Sequence, residues 1–143
     1  MIVSTEQQLE DLLSQPSEAD ARAMAALEGD LLILGVGGKM GPSLARRARR
    51  ACELAGVKKR IIGVARFSTP GTREFLDANG IETIAADLLD DESLAALPDA
   101  ENVIFMTGRK FGSTGSEHLT WAMNVFQPGA AAEPSRVPSA HVR

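Results

Sequence analysis

The chain has 143 residues, of which 44% are hydrophobic and 24% are charged. This composition is typical of one globular domain that folds without disulfides or a structural metal. A net charge of -4 argues against a dedicated nucleic-acid-binding protein. With one cysteine and two histidines, the chain cannot build a disulfide framework or a structural zinc site. It begins without a signal-peptide pattern and has no apolar run of about 20 residues, so we expect a cytoplasmic protein without a membrane partner.

Residues 1–28 predict a helical segment added to the main domain. Ser4 or Thr5 can cap a first helix, whose leucines at positions 9, 12 and 13 form an apolar stripe. Pro16 interrupts this helix, and an alanine-rich second helix follows from about Glu18 to Glu28. No residue of this segment indicates chemistry.

Residues 29–127 alternate predicted strands with predicted helices. The strands are expected at 31–34, 60–65, 81–86 and 103–106, with a helix after each. This alternation predicts an α/β, Rossmann-like parallel sheet of about four strands with helices on both faces. In the last helix, Leu119, Ala122, Met123 and Phe126 recur at i, i+3, i+4 and i+7 and form an apolar stripe. Residues 128–143 contain three prolines without periodicity, which predicts a disordered tail.

Basic residues cluster in and after the helix that follows the first strand. Positions 46, 47, 49 and 50 are arginines that flank its alanines, and Lys58, Lys59 and Arg60 come just beyond. This pattern favours a solvated helix face over a patch that binds a phosphate backbone.

Four glycines lie between the first strand and its helix. Gly35 permits a tight turn, Gly37 and Gly38 let backbone N–H groups approach a diphosphate, and Gly41 lets the helix pack closely on the strand. The positive helix N-terminus would then face the phosphates. We therefore expect a nucleotide-binding loop, the alternative being a glycine-rich turn without a ligand.

The second strand ends in Val64-Ala65-Arg66 and has no carboxylate. An acidic residue at this point accepts from the ribose 2′-hydroxyl of NAD, whereas an arginine suits the 2′-phosphate of NADP. We therefore expect NADP to be preferred to NAD, unless Arg66 is only an exposed charge. Lys39 is a second candidate phosphate contact or, equally, a solvated lysine.

The spacing of Gly35, Gly38 and Gly41 resembles the G-x-x-G-x-x-G loop of the extended short-chain dehydrogenase/reductase family, the NAD-dependent epimerases and dehydratases. Three further stretches support the resemblance: Asp87-Leu88, Thr107-Gly108 after Met106, and Asn124 within Trp121-Ala122-Met123-Asn124-Val125. The resemblance covers roughly residues 30 to 127.

The resemblance implies a role for each of these stretches. The loop from 35 to 41, Lys39 and Met40 included, would hold the cofactor diphosphate. Asp87 and Leu88 would hold the adenine, although an acid at this position also caps turns. Thr107 and Gly108 would lie against the cofactor ribose, and Asn124 would support the active site. The family also pairs through helices, which makes helix 116–127 a candidate homodimer contact.

The chain contains no tyrosine, whereas the family's reaction uses a Tyr-x-x-x-Lys pair. The resemblance therefore implies the cofactor half of a longer enzyme, whose substrate would be a nucleotide sugar or another small molecule. No residue of this chain is assigned a catalytic role. The alternatives are a non-catalytic NADP(H) sensor and an interaction domain with a vestigial loop. If the sheet ends at its fourth strand, that exposed edge is expected to make the isolated chain marginally stable.

Overall fold

The structure is a computed structural model that describes residues 2–108, 115 and 117–132. It has an α/β architecture built on four parallel strands: β1 Leu31–Leu34, β2 Ile61–Ala65, β3 Glu82–Ala85 and β4 Asn102–Phe105. The helices in chain order are α1 Glu6–Leu13, α2 Glu18–Ala26, α3 Gly41–Ala55, α4 Thr72–Ala78, α5 Asp91–Ala95, α6 Glu117–Trp121 and α7 Gln127–Ala132. The predicted Rossmann-like fold class is confirmed.

The strand order β3-β2-β1-β4 decides where a ligand can bind. β1 pairs in parallel with β2 on one side and with β4 on the other, and Leu34 at its end lies opposite both Val64 and Phe105. The chain therefore moves outward in one direction through β2 and β3 and then returns to the other side of β1. In open parallel sheets, ligands bind at the carboxyl ends of the strands beside such a reversal.

The core lies on both faces of the sheet because β1 and β2 are buried along their whole length. Alternate residues of β1 point to opposite faces, so Leu31 and Ile33 belong to one buried cluster and Leu32 and Leu34 to the other. The first cluster includes residues of α2, α3 and α4, and the second includes residues of α5 and α7. This covered, two-sided arrangement is what the unbroken run of four apolar residues predicts.

Polar contacts fix the N-terminal helices to α3. Arg46 Nη1 lies 2.7 Å from Asp11 Oδ1, Arg47 Nη2 lies 2.6 Å from Asp20 Oδ2, and Arg50 Nη1 donates to Ser14 Oγ at 3.2 Å. The expected solvated arginine face is therefore wrong for these three residues, which have partners on the neighbouring helices. The predicted helix α1 is present, but its three leucines are at least 40% exposed, and the polar side chain of Glu10 contacts Ser43 of α3 instead.

The C-terminal helical run differs from its predicted form. Between α6 and α7, residues Ala122–Phe126 form a π-helix, and helical structure continues to Ala132. The prediction of a disordered tail from residue 128 is therefore wrong for residues 128–132, which are helical. The rest of the predicted tail lies outside the described residues. The wider π turn shifts the phase of the helix that follows it, where Gln127 and Ala131 are buried, and Leu119 and Phe126 of the predicted stripe are both exposed.

Within residues 2–108, 115 and 117–132, no helix is both long enough and apolar enough to cross a bilayer.

Candidate functional site

A cavity of ≈ 260 Å³ opens at the carboxyl ends of all four strands. Each strand is followed by a segment that lines it, and the C-terminal helical run supplies the remaining wall. The lining residues are Gly35, Gly37, Gly38, Ala65, Arg66, Phe67, Ser68, Thr69, Thr72, Ala86, Asp87, Leu88, Leu89, Met106, Thr107, Gly108, Met123 and Gln127. The sheet thus brings together segments that are separated by up to about 90 residues in the chain, at the place that the strand order indicates.

Two glycines of the loop after β1 are required by the fold. Gly35 has φ +87°, and a Cβ there would lie 2.5 Å from Thr107 Cγ2 and 2.8 Å from Thr107 N. A Cβ at Gly41 would collide with the carbonyl oxygen of Val36. Gly35 therefore permits the turn and Gly41 permits close packing of α3 on that turn, as expected.

The other two glycines of the loop differ from each other. A Cβ at Gly37 would meet Ala65 Cβ at 3.1 Å, so this glycine also serves packing. A Cβ at Gly38 would have Gly35 O as its nearest neighbour, at 3.7 Å, which is an ordinary van der Waals contact. Gly38 lines the cavity, and the fold itself leaves room there for a side chain. Packing within the fold therefore does not require glycine at position 38, and the missing side chain leaves the Gly38 backbone as part of the cavity wall.

The same loop presents backbone donors. The N–H groups of Gly35 and Val36 bond to Val64 O, and those of Gly38 and Gly41 bond within the loop. Within the described part of the chain, the N–H groups of Gly37, Lys39 and Met40 have no hydrogen-bond partner. The N-cap residue of α3 is Met40, and its side chain makes no capping hydrogen bond. Free N–H groups at an uncapped helix N-terminus are the donors that an anion requires.

The segment after β2 adds a guanidinium to the cavity. Arg66 is exposed and makes no ion pair or hydrogen bond with the residues that the structure describes. The next residue, Phe67, has φ +50°, a left-handed conformation that bulky residues rarely adopt. Arg73 lies 5.8 Å from the centroid of the Phe67 ring. The hydroxyl side chains Ser68, Thr69 and Thr72 line the same part of the cavity.

Asp87 and Leu88 line the cavity where β3 ends. Asp87 Oδ1 accepts from Leu89 N at 3.0 Å, which is the turn-capping role given above as the alternative to adenine binding. Asp90, in turn, caps α5 by accepting from Ser93 N and Ser93 Oγ, and these hydrogen bonds lower the pKa of Asp90. Among the described lining residues Asp87 is the single carboxylate, and its Oδ2 makes no hydrogen bond with the part of the chain that the structure describes.

The wall beyond β4 is held by a side-chain hydrogen bond. Thr107 Oγ1 donates to Gln127 Oε1 at 2.7 Å, and Gln127 is only 2% exposed. Gly108 packs beside Asn124, whose Oδ1 would lie 3.2 Å from a Cβ at Gly108. Sequence reasoning missed Gln127 and Met123 as lining residues because it assumed regular α-helical phase up to residue 127.

Most residues expected from the sequence do line this one cavity. Four do not: Lys39, Met40, Gly41 and Asn124 are absent from its wall. Gly41 packs against the backbone of Val36 within the loop, and the Met40 side chain is 74% exposed. Asn124 follows the lining residue Met123 in the chain and lies next to Gly108. No group of three or more metal-ligating side chains occurs in the described ranges.

No protein-family model matches the chain, and no curated protein is significantly similar to it.

Proposed function

We propose that this chain binds a nicotinamide dinucleotide in the cavity at the carboxyl ends of its strands, with NADP(H) preferred to NAD(H). The observation that carries the proposal is the meeting, in one cavity, of the bare glycine loop, whose Gly37 N–H has no partner among the described residues, with the Arg66 guanidinium, which has none there either. Each alone is common in proteins. Together they offer partners for two phosphate positions of one ligand.

The layout of the cavity orients the proposed ligand. The diphosphate lies against the loop from Gly35 to Met40, at the N-terminus of α3. The adenosine half extends over the ends of β2 and β3, between Arg66 and Leu88. The nicotinamide half then extends past β4 towards Thr107 and Met123.

The preference for NADP(H) follows from the charges near the adenosine ribose. Arg66 follows β2, where an NAD-binding site has an acidic acceptor for the 2′-hydroxyl. The one lining carboxylate, Asp87, follows β3 instead and caps its own turn. A 2′-phosphate would therefore find a cation and the hydroxyls of Ser68 and Thr69, with no acid at the end of β2.

A methyl group added at Gly38 tests the proposal. Gly38→Ala puts its Cβ in free space on the cavity wall, so we expect unchanged stability but at least tenfold weaker NADPH binding by calorimetry. Gly129→Ala is the matched control, because a Cβ there meets nothing within 4 Å and Gly129 is not among the lining residues of the cavity. Equal NADPH affinity in both variants, or no binding by the unmodified chain, would overturn the proposal.

The absence of tyrosine favours a binding role for this chain over catalysis. In our proposal it is the cofactor-binding part of an epimerase/dehydratase-like oxidoreductase or isomerase, whose other part would take a nucleotide sugar. A non-catalytic NADP(H)-responsive module is the second candidate, favoured by the same absence. Both predict that NADPH absorbance at 340 nm stays constant when nucleotide sugars are added to this chain. Steady oxidation of NADPH would contradict both.

A second copy of the chain is the proposed protein partner. Four large apolar side chains are exposed on the C-terminal helical run: Leu119, Trp121, Val125 and Phe126. A second copy of the chain could bury them, as interfaces between proteins bury exposed apolar surface. Light scattering should give twice the monomer mass for the unmodified chain and the monomer mass for Trp121→Ser. A monomer in both cases would contradict this pairing.

A further inference from the structure

The segment after β2 contains a strained backbone position. Phe67 has φ +50°, and it is the one residue other than glycine with a positive φ in the part of the chain that the structure describes. In this left-handed conformation the Cβ of an L-residue approaches the following carbonyl oxygen, so glycine, asparagine and aspartate adopt it far more readily than bulky residues. Strain of this kind persists where the surrounding structure holds it, and it is often found at ligand-binding sites.

The fold anchors Phe67 through its ring. The side chain is half-buried and packs against the first buried cluster, which includes residues of α3 and α4. Arg73 lies over the ring, with its Cζ 5.8 Å from the centroid, and Arg73 Nε donates to Thr83 Oγ1 at 3.1 Å. Thr83 Oγ1 donates in turn to Asp77 Oδ1 at 2.7 Å. The contacts of the ring therefore hold a backbone conformation that phenylalanine would otherwise avoid.

A turn at Phe67 accounts for the way in which every residue from Arg66 to Thr69 lines the same cavity. In an extended chain, successive side chains point to opposite faces and each residue advances about 3.3 Å, so such a segment would carry Thr69 away from Arg66. A left-handed residue changes the direction of the chain instead. The cation of Arg66 and the hydroxyls of Ser68 and Thr69 are all exposed at this one cavity, and such a set of donors suits a phosphate.

We infer that Phe67 is a positioning residue that sets the preference for NADP(H) over NAD(H). Its left-handed backbone brings Arg66 and the hydroxyls of Ser68 and Thr69 to one phosphate group, the 2′-phosphate of the adenosine ribose. NAD carries a hydroxyl at that position, so it gains much less from the arrangement. This inference rests on the proposed function, and it assigns the selectivity of that site to a residue that acts through its neighbours.

Two substitutions separate the backbone of Phe67 from its ring. Phe67→Asn and Phe67→Val both remove the ring, but asparagine tolerates a left-handed conformation whereas β-branched valine does not. By calorimetry, we expect the ratio of NADP to NAD affinity in Phe67→Asn to stay within about twofold of the ratio for the unmodified chain. In Phe67→Val the ratio should fall about fivefold or more, because NADP binds more weakly.

Phe75→Val is the matched control. Phe75 is also half-buried against the first cluster, but it belongs to α4 and is not among the lining residues of the cavity, so the ratio should stay unchanged. Should Phe67→Val fail to fold, Phe67→Ala replaces it, with an expected fall of about threefold because alanine disfavours the left-handed conformation less strongly.

The possible outcomes distinguish this inference from the proposed function. An unchanged ratio in Phe67→Val, or in Phe67→Ala where that variant replaces it, would overturn the inference alone. So would a fall in Phe67→Asn equal to that in Phe67→Val, since the ring and not the backbone would then set the preference. Failure of both dinucleotides to bind the unmodified chain would instead overturn the proposed function together with the inference.

Discussion

The arginines of α3 and the arginine after β2 differ in their surroundings: the first have partners within the fold, and the second lines a cavity. Arg46, Arg47 and Arg50 hold the N-terminal helices through carboxylate or hydroxyl partners, and Arg46 also lies 5.9 Å from the centroid of the Phe75 ring. Arg66 has no such partner in the described part of the chain and lines a cavity. The arginines that cluster in the sequence therefore make contacts within the fold. Arg66, which is isolated in the sequence, is the arginine that is available to a ligand.

A second cavity within the described part of the chain shows the same contrast. The second, of ≈ 250 Å³, lies between α2, α3 and β4 and is lined mainly by aliphatic side chains such as Met24, Leu27 and Val103. Its two charged lining residues, Asp20 and Arg47, are already paired with each other. The two cavities have similar volumes, so size does not distinguish them. The unpaired donors do, and they occur in the cavity at the carboxyl ends of the strands.

The largest effect that we expect is on NADP affinity. Arg66→Ala should weaken NADP binding about 10- to 100-fold, because a charge-assisted hydrogen bond to the 2′-phosphate is lost. NAD affinity should change less than twofold, and the free energy of unfolding should stay within about 0.5 kcal/mol. Titrations of both dinucleotides measure this difference. An equal loss of NAD and NADP affinity would show that Arg66 does not recognise the extra phosphate.

Arg46→Ala should produce the opposite pattern. This side chain is only 17% exposed and contacts both Asp11 and Phe75, so its removal should lower the free energy of unfolding by about 1–2 kcal/mol. NADPH affinity should be unchanged, since Arg46 lies outside the cavity lining. Urea denaturation and calorimetry on one preparation test both statements. A loss of affinity without a loss of stability would erase the distinction between the two arginines.

Acid should weaken the N-terminal layer through Asp20. Hydrogen bonds from Ser17 and the contact with Arg47 lower the pKa of Asp20 from 3.8 to about 2. Because the folded pKa lies below the unfolded one, the stabilisation is complete above pH 3.8 and is lost as pH falls through about 2. The melting temperature of the unmodified chain should therefore fall more steeply over this interval than that of Asp20→Asn. Parallel curves would contradict this role for Asp20.

The smallest effect is expected on the exposed side of α3. Arg49 and Glu53 form an i,i+4 pair at 3.1 Å, and both side chains are partly solvated. Glu53→Gln should therefore change the free energy of unfolding by no more than about 0.5 kcal/mol. Chemical denaturation beside Arg46→Ala measures the contrast. If Glu53→Gln lowered the free energy of unfolding as much as Arg46→Ala does, the contact of Arg46 with Asp11 of α1 would add no stability beyond that of an exposed ion pair.

The sheet and the glycine loop could be predicted from the sequence because their signals are local. Four consecutive apolar residues predict β1, and glycine is the residue that fits the backbone at positions 35 and 41. The convergence of Arg66, Asp87 and Thr107 on one cavity also follows, since parallel strands place their carboxyl ends at one edge.

The helical surroundings could not be predicted equally well, because their contacts are tertiary. Periodicity gives no information on which residues of α1 face water, since Glu10 and Asp11 make contacts with α3 that lie more than 30 positions away in the chain. The phase of the C-terminal helix depends on Pro128, whose effect extends back to Met123 and Gln127. The sequence does contain a proline within an apolar helical pattern, but a proline at such a position equally predicts the end of a helix.

The central claim is that a diphosphate binds to the backbone amides of the loop after β1. The most direct measurement is the ¹⁵N–¹H spectrum of the unmodified chain during titration with NADPH. We predict saturable shifts of the Gly37, Lys39 and Met40 amides together with the Arg66 side-chain resonance, while the Arg46 and Arg50 side chains stay unchanged. Unshifted loop amides at saturating NADPH would contradict the account.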